Sequence, residues 1–540
     1  MKNMNEEGTV ESIASDGNLD DMVHETEPKQ ETDRIRDGLA GIEFSETGKA
    51  KCRGNISNES GNKTEVAFDY YHAEQNALDF ELTEENKEYL NKDLALKDIR
   101  FHVYSREIGE NGSIEDRPDR KVYLLMHGWT ATHAIYTEVI RQNDLTMVEE
   151  ILARDPSAII VVPDGNGFGE TRFKTEFEKS EIDKYKKQVK KENMDDLEVK
   201  KNIISEKSTP EYYAMQMEFL LGIVLDLEGE YNDKKEKVKG SPRVAVLGHS
   251  MGGAAAMILT TRWGYESLAS APALFPSKDN EKYMKDHQDI LRKNKAAERL
   301  YRFLGNSTYL ADVVGRLREF MSSISEIAVQ QVFVAIANEL MGRKISGDPK
   351  KDKSMLQHLG AIHIRELTKD KFHTISTTIL NLINGIDFSE WSMKEIANLK
   401  NVEIICGKFD TLVPWEELMY SLTTIAAYAL DAQRDNVPGS DEASDAATKL
   451  IQRVIQPDIE ENAEAEMATW LVIRAFHPED TDLILFETVD KEQYYRKLFG
   501  EDYKLAKNLD ESGHYRALLG DEKVVRKLVA MAHENKGEEK

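Results

Sequence analysis

The run "VAVLGHSMGGAAAMI", Val244 to Ile258, sets one serine, Ser250, between Gly248 and Gly252 and follows it with small helix formers. A β-rich apolar segment feeding a helix through two glycines predicts a sharp strand-to-helix turn, because a side chain at either flanking position would strike neighbouring backbone. Such a turn exposes the serine oxygen above a sheet and puts the positive end of a helix dipole beside it. A glycine-rich packing turn with an incidental serine has the same letters. The two readings part on whether the chain also supplies a base and an orienting acid, since a serine hydroxyl is a poor nucleophile without them.

The required order is serine, then a carboxylate after a later strand, then a histidine after the last strand. Asp410 ends the strand-like "VEIICGKFD", and His514 sits in "DESGHYRAL", a tight turn before a final helix. A substrate anion also needs two preorganised N–H donors. Met251, directly after the serine, offers one, and Trp129, in "YLLMHGWTATH" at the exit of an earlier strand, offers the other.

Competing residues fit less well. His477 precedes a strand, His533 lies inside the last helix, and His287, His358, His363 and His373 fall in a helical block as surface or cap-packing residues. His249 reads as a packing residue beside the serine. "PDGNGFGET" brushes against a dinucleotide fingerprint, but its third glycine is misplaced and the segment after it is charged. Asp164 and Gly167 are expected to shape a loop at the rim, with no cofactor. No pair of histidines has ligand spacing with a nearby carboxylate, so no metal site is expected. Cys406 reads as a buried strand residue, and Trp129, Trp391 and Trp415 either line an acyl pocket or belong to the core.

Taken together, "LLMHGW", "VVPDGNGFGET", "VLGHSMGG", "ICGKFDTLVP" and "SGHY" resemble successive landmarks of the α/β-hydrolase superfamily, in its order, from about Arg100 onward. The resemblance implies an α/β fold: a mostly parallel, doubly wound sheet with a helical cap insertion. It also implies a nucleophile at Ser250, an acid at Asp410, a base at His514 and an oxyanion hole from Trp129 and Met251. The sequence departs from the family in its long intervals between Ser250 and Asp410 and between Asp410 and His514.

The elements that must position these residues can be read along the chain. Residues 1–35 are acidic and nearly free of aromatics, a composition that does not offset the cost of ordering; a disordered tail is expected. Strand-like segments, "EVAFDYY", "DIRFHVYSRE", "RKVYLLMHG" and "AIIVVPDG", alternate with a helical segment around Thr137 to Leu152, as in a parallel sheet. The interval 174–208 is a charged helical excursion, and "PEYYAMQMEFLLGIVLDLEG" an amphipathic helix with proline near its start. The core is thus expected over 60–277, an all-helical cap over 278–398, and a second core part over 399–540 with a helical excursion at 416–475. Either "DLILFET" or "YKLAKNL" supplies the last core strand.

With 540 residues the chain can bury a large core, and its net charge of −27 argues against nucleic acid or anionic lipid as partner. Two cysteines give no disulfide framework, the start has no apolar leader, and no run is long enough to cross a bilayer, so a cytoplasmic protein without stable membrane insertion is expected. The expected activity is that of a serine hydrolase cleaving a carboxylic ester or related small-molecule or lipid-like acyl compound through an acyl-enzyme. Amidase, peptidase or thioesterase chemistry would use the same residues, and a noncatalytic scaffold would keep the fold alone. Oligomeric state is left open.

Overall fold

The computed structural model describes residues 38–58, 60–191, 193–231, 237–277, 349–366, 385–406, 415–452, 514–520 and 522–534, with a few single residues between these stretches. The tail at 1–35, most of the cap expected over 278–398, Asp410, His287, His373, His477 and both candidates for the last core strand lie outside them.

Ten strands are described: β1 Lys49–Ser57, β2 Lys63–Asn76, β3 Arg100–Ser105, β4 Val122–Met126, β5 Ile159–Pro163, β6 Glu230–Tyr231, β7 Lys237–Lys239, β8 Val244–His249, β9 Glu266–Ser270 and β10 Val402–Ile405. β6 and β7 make a small separate hairpin, and the other eight form one sheet in the order β1-β2-β3-β5-β4-β8-β9-β10. β5, β4, β8, β9 and β10 run parallel, while β1, β2 and β3 add antiparallel pairings at one side.

The parallel strands are continuously apolar because both faces are covered. In β4, Val122, Leu124 and Met126 enter one core and Tyr123 and Leu125 the other; β5 and β8 alternate in the same way. Helices Pro210–Glu218, Met251–Trp263, Trp415–Arg434 and Ser440–Gln452 contribute to the first core. Helices Met147–Arg154, Pro349–Glu366 and Lys523–His533 contribute to the second, the middle one through Met355, Leu356, Leu359 and Ile362. This two-sided wrapping is the mostly parallel, doubly wound sheet that the motif order implies.

Local signals explain several boundaries. Thr209 caps the helix at Pro210, its hydroxyl accepting the Tyr212 amide. The charged interval 174–208 folds as two helices, Lys179–Gln188 and Asp196–Glu206, that bury only Ile182, Tyr185, Val199 and Ile203. The single helix expected around Thr137–Leu152 is instead two, Ala134–Thr137 and Met147–Arg154. Asp144 adopts a left-handed φ of 65° between them, and Thr146 with Glu149 forms a capping box that starts the chain afresh. Both cysteines are buried, and burial pushes the Cys52 thiol up to about 12. Among the described residues no helix is long and apolar enough to cross a membrane.

The register brings the strand ends to one edge. His249 of β8 pairs with Ser270 of β9, Ser270 with Ile405 of β10, and Gly248 with Met126 of β4. Residues 127–133, 164–170, 250, 271 and 406 therefore leave the sheet side by side.

Candidate active site

Ser250 sits at this edge with φ 56° and ψ −118°, a strained conformation for a residue with a side chain. Neighbouring backbone holds it there. Its N–H donates to the Ser270 carbonyl at 2.9 Å, and its own carbonyl accepts from Ala254 at 3.0 Å and Ala273 at 2.9 Å. The flanking glycines are a steric necessity. A Cβ on Gly248 would lie 2.1 Å from the Gly252 carbonyl oxygen, and one on Gly252 would lie 2.4 Å from those of Met126 and His127. Met251 opens the following helix, and among the described residues its amide meets no acceptor. It is a helix-terminal donor of the kind that holds an anion.

The loop after β4 backs onto the serine: the position a Cβ would take on Gly128 is 3.0 Å from Ser250 Cβ. Two buried side chains fix this loop. His127 Nε2 accepts the Gly165 amide at 3.0 Å, which leaves the proton on Nδ1, 2.8 Å from the Gly128 carbonyl. Asp164 takes the His133 amide at 2.8 Å, the His133 ring at 3.1 Å and the Glu170 amide at 2.9 Å. Burial alone would raise the Asp164 carboxyl, but the His133 hydrogen bond and charge hold it at about 2. His133 is correspondingly raised, Asp164 outweighing burial. Asp164 thus shapes its loop from a fully buried position rather than from the rim. Trp129, half-buried, lies between Gly128 and the left-handed Thr130 at φ 54°.

His514 is buried at 3% exposure, its ring centroid 4.6 Å from that of His249, the residue before Ser250. Tyr515 packs on the same His249 ring at 4.8 Å. Burial, reinforced by His514, keeps His249 neutral, well below its ordinary range. Among the described residues its Nε2 finds no partner. It fills the space between the serine turn and the His514 segment.

Of the two alternatives for His363, surface or packing, the structure shows packing, and against the sheet-edge loop as well. His363 is buried, with Nδ1 2.8 Å from Thr130 Oγ1 and Nε2 2.7 Å from the Tyr515 hydroxyl, and burial lowers it to about 4. Helix Pro349–Glu366 also reaches the third loop, where the Gly169 amide donates to Glu366 at 2.8 Å. By contrast His358, on the same helix, is exposed. Trp391 is buried in the core against Phe388, ring centroids 5.2 Å apart.

A buried charge network holds the segment after His514. Arg141 donates to the Leu519 carbonyl at 3.3 Å and Gln142 to the Gly520 carbonyl at 2.6 Å. Arg141 pairs with the fully buried Glu150, which also receives Asn143 at 2.7 Å and Arg154 at 2.8 Å. Arg154 pairs in turn with Glu522, which accepts the Ser57 amide at 2.7 Å. Asp410 lies outside the described residues; β10 ends at the edge that bears Ser250, with Cys406 buried at its exit.

A third set of residues meets that no spacing in the sequence indicated. His102 on β3 lies against His133, ring centroids 3.7 Å apart and the planes tilted by 32°, and its Nδ1 is hydrogen-bonded to His72 Nε2 at 3.0 Å.

No family model matches the sequence, and no curated protein does either. Among solved structures the chain is similar to an alpha/beta hydrolase enzyme from a deep-sea metagenome library, at 11% identity over 71% of this chain and 96% of that one, TM-score 0.32. It is similar too to a peroxisomal alpha-beta-hydrolase from Saccharomyces cerevisiae, at 11% identity over 76% and 98%, TM-score 0.30. An esterase from Rhodococcus sp. ECU1013 follows at 12% over 70% and 98%, TM-score 0.27. At such scores these likenesses carry no weight of their own; the strand order and the turn at Ser250 do.

Proposed function

We propose that this protein is a serine hydrolase acting on a carboxylic ester or related acyl compound, with Ser250 as nucleophile, His514 as base and Asp410 as the acid that orients it. His514 takes the proton of Ser250 as the oxygen attacks the carbonyl, and the amides of Trp129 and Met251 receive the oxyanion. The histidine then protonates the leaving alcohol. Water, deprotonated by the same histidine, attacks the acyl-enzyme and releases the acid.

The observation that carries this reading is the strained serine at φ 56°, held beside an unspent Met251 amide. A packing turn has no use for either. A small-molecule or lipid-like acyl substrate suits the chemistry, and ester, amide and thioester substrates assayed side by side rank the possible leaving groups.

The test is labelling by a fluorophosphonate probe together with hydrolysis of a p-nitrophenyl ester. Wild type is expected to label at Ser250 and to turn over, and Ser250→Ala to do neither while keeping its circular dichroism. A folded wild-type chain that neither labels nor hydrolyses overturns the reading and leaves a scaffold with a hydrolase-like fold.

A further inference from the structure

We propose that His102, His133 and Asp164 form a binding site for a divalent transition metal of the zinc class, with His72 holding the His102 ring from behind. Three separate pieces of chain bring these ligands together. His102 lies on β3, whose antiparallel pairing with β5 sets Phe101 opposite Pro163 and so brings Asp164, the next residue, alongside. The Asp164 amide donates to the Arg100 carbonyl at 3.0 Å, fixing that approach. His133 arrives from the loop after β4, at the start of helix Ala134–Thr137.

One ligand atom from each of the three residues lies within 4.8 Å of the others. Zinc bound tetrahedrally at about 2.0–2.2 Å holds its donors roughly 3.3–3.5 Å apart, so side-chain rotations moving the atoms by about 1 Å complete the site. Two imidazoles and a carboxylate are a donor set this ion favours, leaving a fourth position for water. The His133 side chain is 19% exposed, which gives that water a route.

The surrounding groups are those a ligated histidine requires. His72 occupies Nδ1 of the buried His102 at 3.0 Å, and among the described residues no hydrogen bond is made by its Nε2. A ring held through one nitrogen with the other free is the arrangement that orients a metal ligand. Glu74, opposite His102 across the β2–β3 pair, joins His72 and His102 in a second such group on the outer side. A bound ion would replace the proton between His133 and Asp164 and tie β3 to the loops after β4 and β5. Its role is structural, and it enters none of the hydrolytic steps above.

The test uses the full chain, dialysed against a chelator and titrated with Co²⁺, read by visible d–d absorption and by thermal unfolding. The expected result is saturable binding of one ion, displaced by Zn²⁺, with a raised Tm. His102→Asn and His133→Gln should each weaken binding by more than about 100-fold, and His72→Gln by about 10- to 100-fold as a supporting residue. The exposed His358→Asn should leave binding unchanged. If His102→Asn does not fold, His133→Gln and His72→Gln decide. No saturable binding by wild type, or binding that survives His133→Gln, overturns the proposal and leaves a hydrogen-bonded chain of imidazoles.

Discussion

His363 spans two loops with one ring, its Nε2 2.7 Å from the Tyr515 hydroxyl and its Nδ1 2.8 Å from Thr130 Oγ1. Replacement His363→Phe keeps the ring volume but leaves buried polar partners unsatisfied, at a cost of about 2–4 kcal/mol. Urea unfolding measures it. Adding Tyr515→Phe should cost less than the separate effects summed, with a coupling of at least about 0.5 kcal/mol. Additive losses would mean that the two side chains do not interact.

Acid should destabilise the protein in a defined window. Burial holds His363 at about 4 and His249 well below the ordinary 6.5. As pH falls from 6.5 toward 4, the unfolded chain therefore binds protons that the folded one refuses, and stability drops with pH. For His363 alone the drop approaches about 3 kcal/mol by pH 4. The urea midpoint followed from pH 7 to 4 should fall, and His363→Gln should flatten the profile.

The turn at Ser250 exchanges stability for an exposed hydroxyl. Ser250→Ala keeps a Cβ at φ 56°, whereas Ser250→Gly removes it. The glycine variant should be more stable than the alanine variant by about 1 kcal/mol in urea unfolding, although neither can be acylated. Equal stabilities would mean that the backbone stores no strain there.

Glu150 is fully buried and receives Arg141, Asn143 and Arg154. Glu150→Gln leaves the buried Arg141 without its counter-charge and should cost about 3–5 kcal/mol. Hydrogen exchange should rise at residues 516–520, a segment whose Leu519 and Gly520 carbonyls Arg141 and Gln142 hold. A loss confined to global stability, without local exchange, would separate the network from that segment.

The serine turn was legible because continuous apolar runs and obligatory glycines are local signals, readable without knowing the partners. Strand β1 was not, for only two of its nine residues are buried and its order comes from pairing with β2. The partners of His363 were not legible because a helix in an apparent insertion gives no sign that its buried face meets a loop 233 residues away. The grouping of His102, His133 and Asp164 escaped notice for the same reason: each lies 31 residues from the next, on different elements. Sequence spacing reveals ligands on one helix or hairpin, and these come together only through the order of strands in the sheet.

His514 follows Ser250 by 264 residues. At roughly 5–20 residues per second, a ribosome takes on the order of 10–50 s to travel between them. For that interval the nascent chain can carry a finished serine turn but no general base. On the proposed chemistry it is born inert, and its reactivity arrives only with the late segment that Arg141 and Gln142 gather in.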